Sequence, residues 1–276
     1  SKKFLEDFFA FDGNPQGLRV VTKLQWNTDQ HGLNLTNTTI ASYLKYIRMA
    51  GADINKKCNP KFTKKAGYFL TEEKIVAAIW DHFKYETPQR FPLAYIMEAA
   101  DDIAYCISDL EDSIEKDLVN QKESLQSIKA HWLSTHKKSD STFEPINEAL
   151  TFAINGKNSQ DFEYTYTDFR TSINRIIVEY AANNYIENHK SVLDGTLESL
   201  IPNSSGPGSI LQSLKIHCQQ MVYCHESVQI TELSGYTAII GLLDKFSILL
   251  ECSAERFQCS LDYAKKEDKE NISILI

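Results

Sequence analysis

The sequence has 276 residues, enough for one large domain or two small ones, and its 42% hydrophobic and 24% charged residues exclude collagen-like, coiled-coil and disordered classes. The formal net charge of −8 disfavours a general coat of nucleic acid or anionic membrane, although a local basic patch stays open. No run approaches the ~20 apolar residues of a membrane helix, and residues 1–7 lack a signal peptide's apolar core, so we expect a cytoplasmic protein without a membrane partner.

Helical patterns dominate the first 70 residues. Asn14 followed by proline is typical of a helix start and predicts a helix from about Asn14 to Gln25. A second helix, ending near Arg48, is predicted by apolar residues at helical spacing, namely Ile40, Tyr43, Leu44 and Ile47. Residues 49–70, which contain glycine, proline and many lysines, predict a long irregular connection of the kind that often carries function.

The rest of the chain is also predicted to be helical. Thr71 can cap a helix at 72–85, and residues 92–118 keep a helical period without glycine or internal proline. Further helices are predicted at 121–136, 143–155, 159–188, 209–223 and 230–253. No hairpin signal occurs anywhere, so we expect an all-α fold. The turn-rich residues 203–209 suggest a division into a helical core at 1–200 and a C-terminal helical subregion at 201–276, although such a stretch can also be an exposed loop.

Six cysteines occur in the sequence, and none forms the Cys-x-x-Cys pair that marks zinc or redox sites: Cys58, Cys106, Cys218, Cys224, Cys252 and Cys259. A structural zinc is therefore not expected. Cys106 falls on the apolar side of the 92–118 helix, which favours a small buried thiol.

The helix at 92–118 has an acidic face and an apolar face. At 100° per residue one face carries Glu98, Asp101, Tyr105, Asp109 and Asp112. The opposite, core face carries Ile96, Ala99, Ile103, Cys106, Ile107, Leu110 and Ile114. An acidic stripe is usually only a solvated surface. A tyrosine between carboxylates, however, can stack on a sugar or base while the carboxylates bind hydroxyl groups or a divalent metal.

Basic charge is concentrated in residues 45–65, which hold seven basic residues against Asp53 alone: Lys45, Arg48, Lys56, Lys57, Lys61, Lys64 and Lys65. In an acidic chain such a segment is a candidate anion site, because a triphosphate needs several cationic donors. The alternative is a solvated lysine-rich loop.

Residues 91–112 read FPLAYIMEAADDIAYCISDLED, and this stretch closely resembles the signature of the bacterial deoxyguanosine triphosphate triphosphohydrolases of the HD-domain superfamily. The resemblance implies an all-α, HD-domain-like enzyme that hydrolyses dGTP, or another dNTP, to the deoxynucleoside and inorganic triphosphate with Mg²⁺ or Mn²⁺. By the same resemblance Asp101 would be the last metal ligand. Tyr105 would pack on the deoxyribose, and Asp109 would help to bind the 3′-hydroxyl.

Other segments match the family in order. Residues 11–19 resemble its Phe-Glu-Gly-Asn-x-Gln-Gly stretch, with Asp12 in place of Glu, and would place Asn14 at the substrate's phosphates. Residues 44–48 and 64–69 resemble two segments whose lysines contact the triphosphate, which implies that role for Lys45 and Lys65. Here Ala66 replaces a common proline.

The base-binding end of the resemblance is less specific. Residues 222–225 and 232–236 are similar to the region where the family places an aromatic stacking residue and a base-reading glutamate. Tyr223 would stack, and Glu232 would accept from guanine N1–H and N2–H₂. An aromatic residue at helical spacing is also typical of a core, and the family's base-contacting arginine has no match here, so selectivity for guanine stays open.

None of the seven histidines is followed by Asp, so the family's His-Asp pair has no match in this sequence. Only one of four expected metal ligands is present, and a lone carboxylate cannot hold a catalytic metal tightly. We therefore expect a chain that lacks parts of the family at both ends and is inactive alone, whether it is a proteolytic fragment, a deliberately shortened chain or one chain of a split assembly.

Two other functions stay open. One is a catalytically inactive helical fragment for oligomerisation or regulation, since the resemblance implies a homo-oligomer and a possible single-stranded DNA effector. The other is an HD phosphohydrolase for nucleoside monophosphates, which the lysine-rich segment argues against.

Overall fold

The computed structural model describes residues 7–25, 31–52, 60–136, 140–155, 162–253, 255–259 and 262–263. Within these residues the fold is helical apart from two short strands, which confirms the predicted all-α class. The chain divides into two compact units, residues 1–218 and 219–276. We also predicted a boundary at residue 200 between an HD-type core and a C-terminal subregion. That boundary stays a prediction, because the compact units are defined by contacts and need not coincide with the HD-type core.

The first unit begins with short elements. Helix α1 (Gly13–Arg19) continues into a π-helical turn (Val20–Leu24), and α2 (Asn37–Tyr43) follows. Strand β1 (Arg48–Met49) pairs in parallel with β2 (Ala66–Tyr68), and the connection between them contains α3 (Pro60–Thr63). A 3₁₀ turn (Leu70–Glu72) then leads into α4 (Glu73–His82).

The predicted starts of two of these helices were wrong. Helix α1 begins earlier than expected because Asp12, not Asn14, is its N-cap and accepts from the backbone N–H of Asn14. Thr71 does not cap α4, whose N-cap position is Glu72, because the Thr71 hydroxyl is bonded to the Glu72 carboxylate instead.

The predicted second helix was too long, since α2 ends at Tyr43. Beyond it the Ile47 N–H donates to the Phe62 carbonyl, and Arg48 enters the parallel strand pair. The backbone of Tyr46, just before β1, lies unusually close to β2. A Cβ on Gly67 would lie 1.7 Å from the Tyr46 carbonyl oxygen, so only glycine permits this approach. This contact places Lys45 and Lys65, which flank the two strands, in one region of the unit.

The remainder of the first unit consists of longer helices, namely α5 (Pro92–Glu115), α6 (Gln121–Thr135), α7 (Phe143–Asn155), α8 (Phe162–Glu187), α9 (His189–Leu193) and α10 (Gly206–His217). Their positions confirm the predicted helices, with ends that shift by a few residues, except that the short α9 was not predicted. Helix α5 packs against α2, α8 and α10, so the helix with the most specific motif is central to the unit.

The apolar face of α5 was largely predicted. Its buried residues include Ala99, Ile103, Cys106, Ile107 and Leu110. Ile96 is an exception, with 47% of its surface exposed, and Ile114 is only half-buried. The free thiol of Cys106 is buried, as expected, and burial raises its pKa to about 12.

The second unit contains α11 (Glu226–Glu251), which follows a π-helical turn (Cys218–Val222) at the division between the units. His225 is the N-cap of α11, and its Nδ1 accepts from the Ser227 N–H at 3.3 Å. In the part of the chain that the structure describes, no helix is long and apolar enough to cross a membrane. Cys58, Lys56 and Lys57 lie outside the described residues.

Candidate active site

Three residues predicted to contact metal or sugar lie on α5 at intervals of four residues. Asp101 is well exposed, Tyr105 has 53% of its surface exposed, and Asp109 is half-buried. Proline in the first turn starts the helix, and the buried residues of the opposite face fix its rotation. The polar face therefore presents two carboxylates and an aromatic ring along two consecutive turns.

The structure brings Lys45 to Asp101 although 55 residues separate them in the chain. Lys45 Nζ lies 2.9 Å from Asp101 Oδ2 in a hydrogen-bonded ion pair. The Lys45 side chain is mostly buried, with 15% exposed, whereas that of Asp101 is 61% exposed. Burial by itself lowers the pKa of Lys45, but the hydrogen bond and charge of Asp101 outweigh it, so the pKa lies above its usual value. Lys45 is therefore a firmly charged ammonium beside the candidate metal ligand.

Arg90 fixes the backbone from which the Lys45 side chain extends. Its guanidinium is fully buried and donates to the Lys45 carbonyl from Nε at 3.1 Å and from Nη2 at 2.7 Å. Its Nη1 pairs with Glu98 on α5, and its planar group stacks over the Phe62 ring at 3.9 Å. The fork geometry of Arg satisfies both partners at once. Sequence reasoning missed Arg90; the one available signal was that Glu98 occupies the polar face of α5 without an assigned partner.

A second cluster joins Asn14 to Lys65 through Asp12. The Asp12 Oδ1 accepts from the Asn14 backbone N–H at 3.0 Å and from its side-chain amide at 2.6 Å. Asp12 Oδ2 lies 3.3 Å from Lys65 Nζ. Burial by itself raises the pKa of Asp12, but the hydrogen bonds from Asn14 and the charge of Lys65 outweigh it and lower the pKa. Asn14 and Lys65, both predicted to contact the phosphates, therefore bind the same carboxylate. That carboxylate belongs to Asp12, which stands where the resembled motif has glutamate.

A third lysine, which was not predicted, also borders this face. Lys215 of α10 lies 3.1 Å from Asp102 Oδ1, and Lys45 is near enough that its positive charge lowers the pKa of Lys215. Burial is the largest effect and also lowers that pKa, but neighbouring groups that include the Asp102 carboxylate outweigh both effects and raise it overall. Consecutive carboxylates of α5, Asp101 and Asp102, thus each hold one lysine.

The other described basic residues of the 45–65 segment have structural partners. Arg48 donates to the carbonyls of Thr63 and Ala52, and Lys61 pairs with Glu198 at 2.8 Å. Lys64 lies over the Tyr46 ring. Among the described basic residues of this segment, Lys45 and Lys65 are the two that pair with carboxylates of the candidate site.

The described residues do not form a metal site by themselves. No three of their His, Cys, Asp and Glu side chains come together as a ligand set, and the carboxylate of Asp101 is already paired with an ammonium. A divalent cation needs several oxygen or nitrogen ligands. The single matched ligand therefore does not hold Mg²⁺ or Mn²⁺ without further residues.

The residues predicted to bind the base lie in the second unit. Tyr223 is half-buried next to the π-helical turn, and Glu232 is exposed on α11. Their roles stay predictions.

Comparison with known proteins supports the resemblance stated from the motifs. No protein-family model matches the chain. It is 34% identical over 274 residues to a Pseudomonas aeruginosa protein named "Probable deoxyguanosinetriphosphate triphosphohydrolase", an alignment that covers 93% of this chain and 53% of that protein. Relatives named deoxyguanosinetriphosphate triphosphohydrolase from Salmonella typhimurium and Klebsiella pneumoniae are 33% and 32% identical, covering 93% of this chain and 50% of each relative. The chain thus spans about half the length of the curated relatives it matches.

Proposed function

We propose that this relative of the deoxyguanosinetriphosphate triphosphohydrolases takes part in hydrolysis of dGTP, or of another dNTP, to the deoxynucleoside and inorganic triphosphate. The observation that carries the proposal is the contact between Lys45 and Asp101. Lys45 matches a family lysine that contacts the triphosphate, and Asp101 matches a family metal ligand. The two residues are far apart in the sequence, so nothing in the sequence required them to be in contact.

In this proposal three ammonium groups bind the triphosphate. Lys45, Lys65 and Lys215 are each held by a carboxylate, Asp101, Asp12 and Asp102 respectively. Phosphate oxygens compete with those carboxylates for the same donors, and charge-assisted hydrogen bonds of this kind are the strong ones. The lysines would also neutralise charge that accumulates on the departing triphosphate. Asn14, fixed on Asp12, would donate to the same phosphates.

The sugar contacts fall on the next two turns of α5. Tyr105 has the exposed ring needed to pack against deoxyribose, and the Asp109 carboxylate, one turn further, would accept from the 3′-hydroxyl. Tyr223 and Glu232 are proposed to stack on the base and to read guanine.

The metal requirement is proposed from the family relationship. Asp101 would supply one ligand of Mg²⁺ or Mn²⁺, and the other ligands would come from residues that this sequence does not contain. We expect this chain to be inactive alone. A homo-oligomeric state and a response to single-stranded DNA are likewise proposed from the resemblance, and a cytoplasmic location stays the expectation stated from the sequence.

A binding measurement on this chain tests the anion site without requiring catalysis. Titration calorimetry with dGTP, dGMP and inorganic tripolyphosphate should show that dGTP and tripolyphosphate compete for one site and that dGMP binds much more weakly. Binding of dGMP as tight as that of dGTP would contradict the proposal, because the lysines would then contribute nothing to recognition of the triphosphate.

A further inference from the structure

The close backbone contact at Gly67 lies between the two lysines of the basic segment that are proposed to bind the triphosphate. A Cβ on Gly67 would lie 1.7 Å from the Tyr46 carbonyl oxygen and 2.5 Å from its carbonyl carbon. Lys45 directly precedes Tyr46, and Lys65 precedes Gly67 by two residues. Since consecutive α-carbons are about 3.8 Å apart, this contact holds the backbones of the two lysines close to each other.

The residues before and after Tyr46 are fixed. Before it, the Arg90 guanidinium donates twice to the Lys45 carbonyl, at 3.1 and 2.7 Å. After it, the Ile47 N–H donates to the Phe62 carbonyl at 2.9 Å. Tyr46 itself is buried. The Tyr46 carbonyl therefore has little freedom to move away from β2.

Arg48 holds the backbone that leads to Lys65. Its Nε donates to the Thr63 carbonyl at 2.7 Å, and its Nη2 donates to the Lys64 carbonyl at 3.5 Å. The Lys65 side chain is 54% exposed and pairs with Asp12. A shift of β2 would therefore disturb the bonds from Arg48 and move the Lys65 ammonium group.

We propose that Gly67 is a positioning residue for the triphosphate, because it lets β2 lie so close to the preceding segment that Lys65 reaches the ligand bound by Lys45. A larger residue would overlap a backbone oxygen, which cannot rotate away as the end of a side chain can. Because Arg90 fixes the backbone of Lys45, the displacement would fall on Lys65. This inference rests on the proposed function, since both lysines must bind one triphosphate.

The effect of Lys65→Met in different backgrounds tests this role. Titration calorimetry with inorganic tripolyphosphate, on the whole chain without divalent metal, measures the affinities. In wild type Lys65→Met should weaken binding about tenfold, because a charge-assisted hydrogen bond is lost. In the Gly67→Ala background it should weaken binding less than about twofold, because the ligand no longer reaches Lys65 there. Lys45→Met should still weaken binding about tenfold in that background, since Lys45 stays in place.

The matched control is Gly208→Ala, which also overlaps backbone. A Cβ on Gly208 would lie 2.0 Å from the Pro202 carbonyl oxygen. Gly208 lies in the first turn of α10, seven residues before Lys215, or about 10 Å along the helix. Both glycine variants should lower Tm. In the Gly208→Ala background, however, Lys65→Met should still weaken binding about tenfold, because β2 is undisturbed.

Arg48→Lys provides the same test if Gly67→Ala does not fold. Lysine keeps the charge but cannot bond two carbonyls as the guanidinium fork does, so Lys65→Met should again weaken binding less than about twofold. A loss in the Gly67→Ala or Arg48→Lys background as large as that in wild type would overturn the proposal, while the anion site itself would stand. If neither Lys65→Met nor Lys45→Met weakens binding in wild type, the proposed anion site fails together with this inference.

Discussion

Lys45 Nζ and Asp101 Oδ2 lie 2.9 Å apart, so the candidate phosphate ligand and the candidate metal ligand neutralise each other in this structure. A triphosphate that binds Lys45 must therefore break the ion pair between Lys45 and Asp101. Each residue therefore has a predictable and opposite effect on anion binding in the absence of metal.

Lys45→Met should weaken binding of tripolyphosphate to this chain, and Asp101→Asn should strengthen it. A charge-assisted hydrogen bond contributes about 1.5–3 kcal/mol, which corresponds to roughly 10- to 150-fold in affinity for Lys45. Lys61→Met is the control, because that lysine belongs to the same basic segment but pairs with Glu198. Calorimetry without divalent metal is the measurement. Weaker binding by Asp101→Asn would mean that the carboxylate positions Lys45 rather than competing for it.

In the full-length protein, Asp101→Ala should abolish turnover with little loss of stability, because it removes an exposed carboxylate without opening a cavity. Asp101→Asn should fail too, since the amide keeps the shape but loses the charge that holds a hard cation. Asp102→Ala should be tolerated better, because Asp102 lies 100° around α5 and pairs with Lys215. Steady-state rates and metal affinity of the three variants decide the matter. The reverse order of the two alanine variants would show that the register of the motif is wrong.

Arg90→Met should lower the free energy of unfolding by about 3–5 kcal/mol, because it leaves the buried Glu98 pair broken and the Lys45 carbonyl without its donors. Arg170→Met is the matched control. It removes a guanidinium that is 38% exposed from its pair with Glu111, and should cost within about 1 kcal/mol. Urea unfolding measures both. Equal losses would show that the buried pair is no more important than the exposed one.

The pH dependence of stability should include a contribution from His217. Burial lowers its pKa, and its Nε2 lacks a hydrogen-bond partner in the described residues. As the pH is lowered, His217 becomes protonated near pH 6.5 in the unfolded chain but only at a lower pH in the folded chain. The free energy of unfolding therefore decreases as the pH falls below about 6.5. His217→Leu should flatten that part of the unfolding profile, and His82→Gln, at an exposed position, is the control variant. An unchanged slope in His217→Leu would assign the effect to other groups.

Tyr105 and Asp109 should read the sugar in the full-length protein. If the Tyr105 ring packs against C2′, a ribonucleotide's extra hydroxyl collides with it, so Tyr105→Ala should lower activity and narrow the preference for dGTP over GTP. Asp109→Ala should cost about 1.5–3 kcal/mol on dGTP and little on dideoxy-GTP, which lacks the 3′-hydroxyl. Rates with the three nucleotides test both. An unchanged dGTP-to-GTP ratio, with equal losses on dGTP and dideoxy-GTP, would show that this face does not contact the sugar.

Local periodicity predicted the helices well, and α5 best of all, because 24 residues of uninterrupted pattern define both of its faces. Ends of helices were predicted less well. Asp12 and Asn14 are both good capping residues, and only the folded backbone shows that the Asp12 carboxylate accepts from the N–H of Asn14. Helix α2 ends at Tyr43 because the residues that follow lead into the parallel strand pair. That pairing is a tertiary contact, which local periodicity does not reveal.

The candidate site was predictable as separate motifs but not as an arrangement. The resemblance selected Lys45 and Asp101 individually, whereas their contact depends on how α2 packs on α5. Arg90 and Lys215 act through contacts with residues distant in sequence, and neither has a local pattern that marks it.

The most direct test of the central claim is to follow dGTP hydrolysis by the full-length protein with ³¹P NMR in the presence of Mg²⁺ or Mn²⁺. The proposed function predicts inorganic tripolyphosphate and deoxyguanosine as the main products. Main products of dGMP with pyrophosphate, or of dGDP with phosphate, would contradict it.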